Sequence, residues 1–139
     1  MDLYADIILD HYRAPRHKGE LANVSVTHTE KNLSCGDEVT LQLKIADDGV
    51  AELAWTGEGC AISQAGMSML AEEIAGKSLA EIDALTPADI RTMLGVPVGH
   101  RRVKCALLSL HTLQNALNEL RNEPLQSWAE TVGNDEESR

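Results

Sequence analysis

Val39-Thr40-Leu41-Gln42-Leu43-Lys44-Ile45-Ala46-Asp47-Asp48-Gly49-Val50-Ala51-Glu52-Leu53-Ala54-Trp55 is the stretch that decides the fold. Val39, Leu41, Leu43 and Ile45 occupy every second position, the period of a strand with one buried face. Asp47-Asp48-Gly49 then supplies the residue types of a tight hairpin turn. Leu53 and Trp55 resume the alternation after the turn. Upstream, Val24 and Val26 alternate with polar residues and form a third strand-like run. Three consecutive runs with short connections predict an antiparallel meander, with Cys35 in the loop between the first and second strands.

Beyond the meander the period changes to that of a helix. Ile62, Ala65, Met69, Ala71 and Ile74 predict a helix over 61–75, ended by Gly76. Residues 79–85 form a short helical piece. Thr86-Pro87-Ala88-Asp89 is a helix start, with Thr86 as N-cap and Pro87 in the first position, and that helix stops near Gly95. Val103, Ala106, Leu107, Leu110, Leu113, Leu117 and Leu120 recur at three- and four-residue spacing and predict a long amphipathic helix over 103–121. Ahead of the strands, residues 3–13 form a helix that stops near Pro15. The expected fold class is α+β, a three-stranded antiparallel sheet with helices packed on one face. Past Glu123 the periodicity fails. The five acids Glu123, Glu130, Asp135, Glu136 and Glu137 face only Arg139, so residues 1–124 are expected to be one domain and 125–139 an acidic, poorly ordered tail.

The 139 residues suit one domain. With two Trp, two Tyr and no Phe, the core must be aliphatic. A formal charge of −10 argues against nucleic acid and against an anionic membrane surface as partners. The cations are clustered: Arg101, Arg102 and Lys104 in one place, Arg13, Arg16 and Lys18 in another. Local basic spots on an acidic body suit a protein partner or a small anion. Met1–Asp6 has no basic or long apolar segment, so a cytoplasmic location is expected. Three cysteines, an odd number, argue against structural disulfides there.

Each cysteine has a distinctive setting. Cys35 lies in Ser34-Cys35-Gly36-Asp37, where Gly36 permits a tight turn. Cys60 follows Gly57-Glu58-Gly59 and opens a helix, whose free N–H groups favour a thiolate. Cys105 lies near a helix start beside Arg101, Arg102 and Lys104, which are expected to lower its pKa. A lone cysteine is most often a small buried hydrophobe. The three together with Asp37 give four donors, the count of a tetrahedral zinc site or an iron–sulfur cluster, if the fold gathers them. His11 and His28 read as structural or exposed, His111 as packed or solvated, and His100 as a neighbour of Cys105.

The chain resembles the IscU/SufU/NifU-N family of iron–sulfur cluster assembly proteins from about residue 3 to residue 120. The resemblance rests on Asp10-His11-Tyr12-Arg13-Ala14-Pro15-Arg16, on Asn32-Leu33-Ser34-Cys35-Gly36-Asp37, on Gly57-Glu58-Gly59-Cys60-Ala61-Ile62-Ser63-Gln64-Ala65 and on Arg102-Val103-Lys104-Cys105-Ala106. It implies the α+β fold and a site of Cys35, Asp37, Cys60 and Cys105 for zinc in the resting state or for a transient [2Fe–2S] cluster or iron. It implies a SufS- or IscS-like cysteine desulfurase as partner, with downstream cluster acceptors or carriers. Cys35 is the implied sulfur acceptor and Cys105 a second candidate. Lys104 and Arg-x-Lys-Cys-Ala resemble the SufU branch, whose members act as zinc-dependent sulfur acceptors. The 44 residues between Cys60 and Cys105 instead resemble the shorter IscU scaffold layout. On either branch the resemblance implies a scaffold or sulfurtransferase partner of a desulfurase rather than a stand-alone enzyme. Arg101, Arg102 and Lys104 are expected to dock the partner or offset the site's charge. The rivals are a structural zinc-binding interaction module and a thiol hydrolase using Cys105 with His100 or His111.

Overall fold

A computed structural model describes residues 3–133. Helix α1 (Leu3–Arg13) precedes strands β1 (Val26–Asn32), β2 (Asp37–Ala46) and β3 (Gly49–Glu58). Helices α2 (Ala61–Ile74), α3 (Leu79–Asp83), α4 (Pro87–Leu94), α5 (Val103–Leu120) and α6 (Trp128–Gly133) follow, with a 3-10 turn at His100–Arg102 leading into α5. The strands form an antiparallel meander in the order β1-β2-β3. Asp47 and Asp48 both adopt positive φ, 54° and 58°, and bring Ala46 opposite Gly49. Two left-handed residues are what the right-handed twist of a two-residue hairpin turn requires.

The alternation in β2 does what its period predicts: Val39, Leu41 and Leu43 are fully buried. They meet α5, which lies across β1 and β2, while α2 packs on α5 and β3, and α1 packs on α2. Leu107, Leu108, Leu110, Leu113, Ala116 and Leu117 carry the helical side of the core. The aliphatic composition is thus concentrated at a single sheet–helix interface. Thr86 caps α4 through a capping box with Asp89, and Gly95 ends it with φ of 69°.

Two expectations need correction. The first strand does not centre on Val24 but runs from Val26 to Asn32, through Thr27-His28-Thr29-Glu30-Lys31. After Val26 its inward positions are filled by His28, Glu30 and Asn32 rather than by aliphatic residues, so a hydrophobic period could not reveal it. His28 Nδ1 lies 2.8 Å from Glu119 Oε2 on α5, and its Nε2 lies 2.5 Å from Glu30 Oε2. Residues 125–133, expected as part of a poorly ordered tail, are folded onto the domain, and the boundary at residue 124 does not separate them. Trp128 stacks on His111 with ring centroids 4.0 Å apart, and its indole N–H donates to the Lys31 carbonyl at 3.0 Å. Asn115 holds Gln126 by two hydrogen bonds, and the Thr131 hydroxyl pairs with His111 Nδ1 at 2.6 Å. A six-residue helix has little stability of its own; this one is held by tertiary contacts that charge composition does not report. The rest of the expected tail, residues 134–139, lies outside the described residues.

Burial pushes the imidazoles of His11 and His111 below their ordinary value, so the folded protein favours their neutral forms. The unfolded chain takes up those protons first. Their contribution is therefore complete above about pH 6.5 and is lost as the pH falls below that value. The urea unfolding midpoint is expected to drop between about pH 7.5 and 5.5, and His11→Asn to shrink the drop; a midpoint independent of pH would contradict this assignment.

Candidate metal centre

Four chain segments converge on Asp37. Asn32 ends β1 and stands opposite Asp37, the first residue of β2. The intervening loop is tight: the N–H of Gly36 donates to the Asn32 carbonyl at 2.9 Å, and Gly36 takes φ of 74°. Cys35 therefore sits exposed at the tip of the loop, with Asp37 directly beneath it and only 1% exposed. Cys60 is the N-cap residue of α2, in extended conformation, and its backbone N–H donates to Asp37 Oδ1 at 2.9 Å. Cys105 is the third residue of α5 and is 2% exposed. The Asn32 amide donates to Asp37 Oδ2 at 3.2 Å and approaches Cys105 Sγ at 3.5 Å.

A buried carboxylate is costly unless its oxygens are satisfied. Burial pushes the Asp37 carboxyl up, but hydrogen bonds from the Cys60 N–H, the Cys105 thiol, Asn32 and Ser63 outweigh it and hold the group below its ordinary value. Cys105 is driven the other way. Burial raises its thiol strongly, and hydrogen bonds to Asp37 and Cys35 and the nearby charges of Cys60 and Asp37 add to the shift. This overturns the expectation that the adjacent cations lower it. Arg101 and Arg102 are exposed, and the Lys104 ammonium lies 5.9 Å from the centroid of the Trp128 ring instead.

Cys35, Asp37 and Cys105 each place one ligand atom so that all three lie within 4.8 Å of one another. Tetrahedral zinc with bonds of about 2.3 Å to sulfur separates its sulfurs by roughly 3.8 Å. The group therefore fits a tetrahedral ion after small adjustments. The Cys60 thiol stands outside this triple, although its backbone is bonded to Asp37 and its charge is felt at Cys105. Its donor set of thiols and one carboxylate suits zinc or an iron–sulfur cluster. Among the histidines, His111 pairs Nδ1 with Thr131 and turns Nε2 to Glu30 at 3.4 Å, which leaves it no free nitrogen for Cys105. His100 and Arg101 line a cavity of about 510 Å³ beside Cys35.

The sequence quoted Asn32 but did not show that its amide bridges two candidate ligands across 73 positions. Nor did it show that Val132, from the segment expected as a tail, lines the cavity beside Cys35. Gly57-Glu58-Gly59 is explained by space. Gly59 takes φ of 146°, and a Cβ there would run into Asp37 Oδ1 and lie 2.9 Å from Ser63 Oγ.

Fold and site together define an α+β protein with a thiol–carboxylate cluster, spaced as metal ligands are, at the end of a three-stranded meander. Residues 3–126 match the NifU-like N terminal domain, and the chain belongs to that family. Over 134 residues it is 33% identical to the iron–sulfur cluster assembly scaffold protein IscU of Thermotoga maritima, covering 85% of this chain and 94% of that one. It is 36% identical over 132 residues to the zinc-dependent sulfurtransferase SufU of Bacillus subtilis, covering 83% and 89%. A NifU-like N-terminal structure from Brucella abortus superposes with a TM-score of 0.73 at 23% identity, over 88% of this chain and 96% of that one, and shares its fold. Similarity to both a scaffold and a sulfurtransferase agrees with the mixed features of the sequence. No helix of the described residues is long and apolar enough to cross a membrane.

Gly59→Ala is expected to leave the fold intact while displacing the Asp37 carboxylate. Zinc affinity should fall by about tenfold or more, as for other changes to groups that orient ligands. Competition with a chelating dye, alongside circular dichroism, checks this; wild-type affinity would contradict the role given to Gly59.

Proposed function

We propose that the protein serves iron–sulfur cluster assembly in the cytoplasm, accepting persulfide sulfur from a cysteine desulfurase at Cys35 and holding metal with Cys35, Asp37, Cys60 and Cys105. The observation that carries this reading is the unequal exposure of the gathered donors. Cys35 lies at the tip of an exposed loop, whereas Asp37 and Cys105 are buried beneath it. A large partner can reach Cys35 without unfolding the site. Burial favours Cys35 over Cys105 as the acceptor.

Zinc, when bound, would keep the thiols as thiolates and mask them from oxidation. Cys60 completes the set by a side-chain rotation at the N-cap of α2. Three thiolates and one carboxylate around a divalent ion carry a net charge of −2, which Arg101, Arg102 and Lys104 offset from the rim. On docking, the partner would reach Cys35, the exposed donor. Its thiolate attacks the terminal sulfur of the desulfurase persulfide, the enzyme cysteine leaves as a thiolate, and Cys35 becomes the persulfide. Asn32 and the Cys60 N–H keep Asp37 fixed during this exchange. With iron supplied, the same donors receive a [2Fe–2S] cluster as cargo for a downstream carrier, and Asp37, the one oxygen donor, is the ligand most easily given up. A structural zinc module explains the buried donors equally well, but gives no reason for the most accessible one to be a thiol.

The test is desulfurase turnover without added reductant, with and without the zinc-loaded protein. Wild-type protein should stimulate turnover and carry the persulfide on Cys35. Cys35→Ala should bring turnover back to the level without the protein; full stimulation by that variant would refute the choice of acceptor. In a separate reconstitution, Asp37→Ala should prolong the life of a bound cluster, and an unchanged lifetime would remove Asp37 from release.

A further inference from the structure

The C-terminal segment has no part in the reading above, yet it reaches the cavity beside Cys35. Val132 of α6 and Val103 of α5 form its apolar lining, and His100, Arg101 and Lys104 form its basic lining. Among the described residues, none that lines this cavity carries a carboxylate, in a chain whose formal charge is −10. The described lining is thus basic where the chain as a whole is acidic, and it is set against the exposed thiol.

Lys104 is held in this position. Its ammonium lies 5.9 Å from the centroid of Trp128, within range of attraction by the ring face. Trp128 is itself fixed by the 4.0 Å stack on buried His111 and by its indole hydrogen bond to Lys31 at the end of β1. Ser127 caps α6 through Glu130: the Glu130 N–H donates to Ser127 Oγ at 3.1 Å. The match to the family ends at residue 126, just before these residues.

We infer that α6 is a wall of the Cys35 cavity and that Trp128 is a positioning residue, which holds Lys104 at a site for an anionic sulfur carrier, a persulfide flanked by carboxylates. The cavity takes the carboxylates at Arg101 and Lys104 and aligns the sulfur with Cys35. The inference rests on the reading that Cys35 accepts sulfur. Its test needs no desulfurase, so failure of sulfur transfer and failure of this proposal are distinguishable.

The full chain is treated in parallel with iodoacetate and iodoacetamide, and modification of Cys35 is followed by peptide mass spectrometry. The ratio of the anionic to the neutral rate cancels the reactivity of the thiol itself and reads the charge of the cavity. Lys104→Gln should lower the ratio by about threefold, the effect of one unit charge some 6 Å away in water. Trp128→Leu should lower it by a similar factor, and the double variant no further. Trp128→Phe, which keeps a ring face, should retain the wild-type ratio. If Trp128→Leu also melts α6, Lys104 is released all the same and the ratio still falls. A wild-type ratio in Trp128→Leu, or a double variant whose loss is the product of the two single losses, would overturn the proposal.

Discussion

The buried carboxylate of Asp37 is the constraint on which the site depends. It receives the backbone N–H of Cys60 and the amide of Asn32, and it pairs with the Cys105 thiol. These contacts join the end of β1, the start of β2, the start of α2 and the first turn of α5. Removing the charge from water is tolerated because each oxygen is met by a donor. The same hydrogen bonds hold the carboxyl below its ordinary value, while burial, with the bond to Asp37 added, raises the thiol beside it. One buried anion therefore organises the convergence of these elements.

The fold prepares this convergence elsewhere. The β2–β3 hairpin and the aliphatic face of β2 fix the sheet against α5, and α5 carries Cys105 to the sheet's end. Gly59 allows the chain entering α2 to pass close enough for Cys60 to reach Asp37. The tight loop at Gly36 then leaves Cys35 above the buried pair. Accessibility falls from Cys35 through Cys60 to Cys105, and this gradient is what the proposed division between an accepting thiol and retained ones rests on.

Much of the architecture was legible in the sequence because its signals are local. The alternation from Val39 to Ile45, the Asp47-Asp48 turn and the Thr86-Pro87 cap each act within a few residues. The cysteine neighbourhoods were legible for the same reason. What escaped depends on contacts across the chain. The polar strand at His28–Glu30 pairs with α5 and leaves no hydrophobic period. The helix at Trp128 exists because an aromatic ring finds His111 and a carbonyl of β1, while its acidic surroundings suggested disorder. The Cys105 thiol was expected to be lowered by its sequence neighbours, yet burial and Asp37 raise it, since Lys104 turns to Trp128.

The central claim is that three thiolates and one carboxylate, brought together from four elements, form a single metal site. X-ray absorption at the zinc edge of the loaded full chain tests it most directly. The account predicts one tightly bound zinc per chain, with three sulfur ligands near about 2.3 Å and one oxygen near about 2.0 Å, and with one sulfur lost in Cys60→Ser. A spectrum with two sulfurs and imidazole nitrogen, or one unchanged in Cys60→Ser, would contradict it.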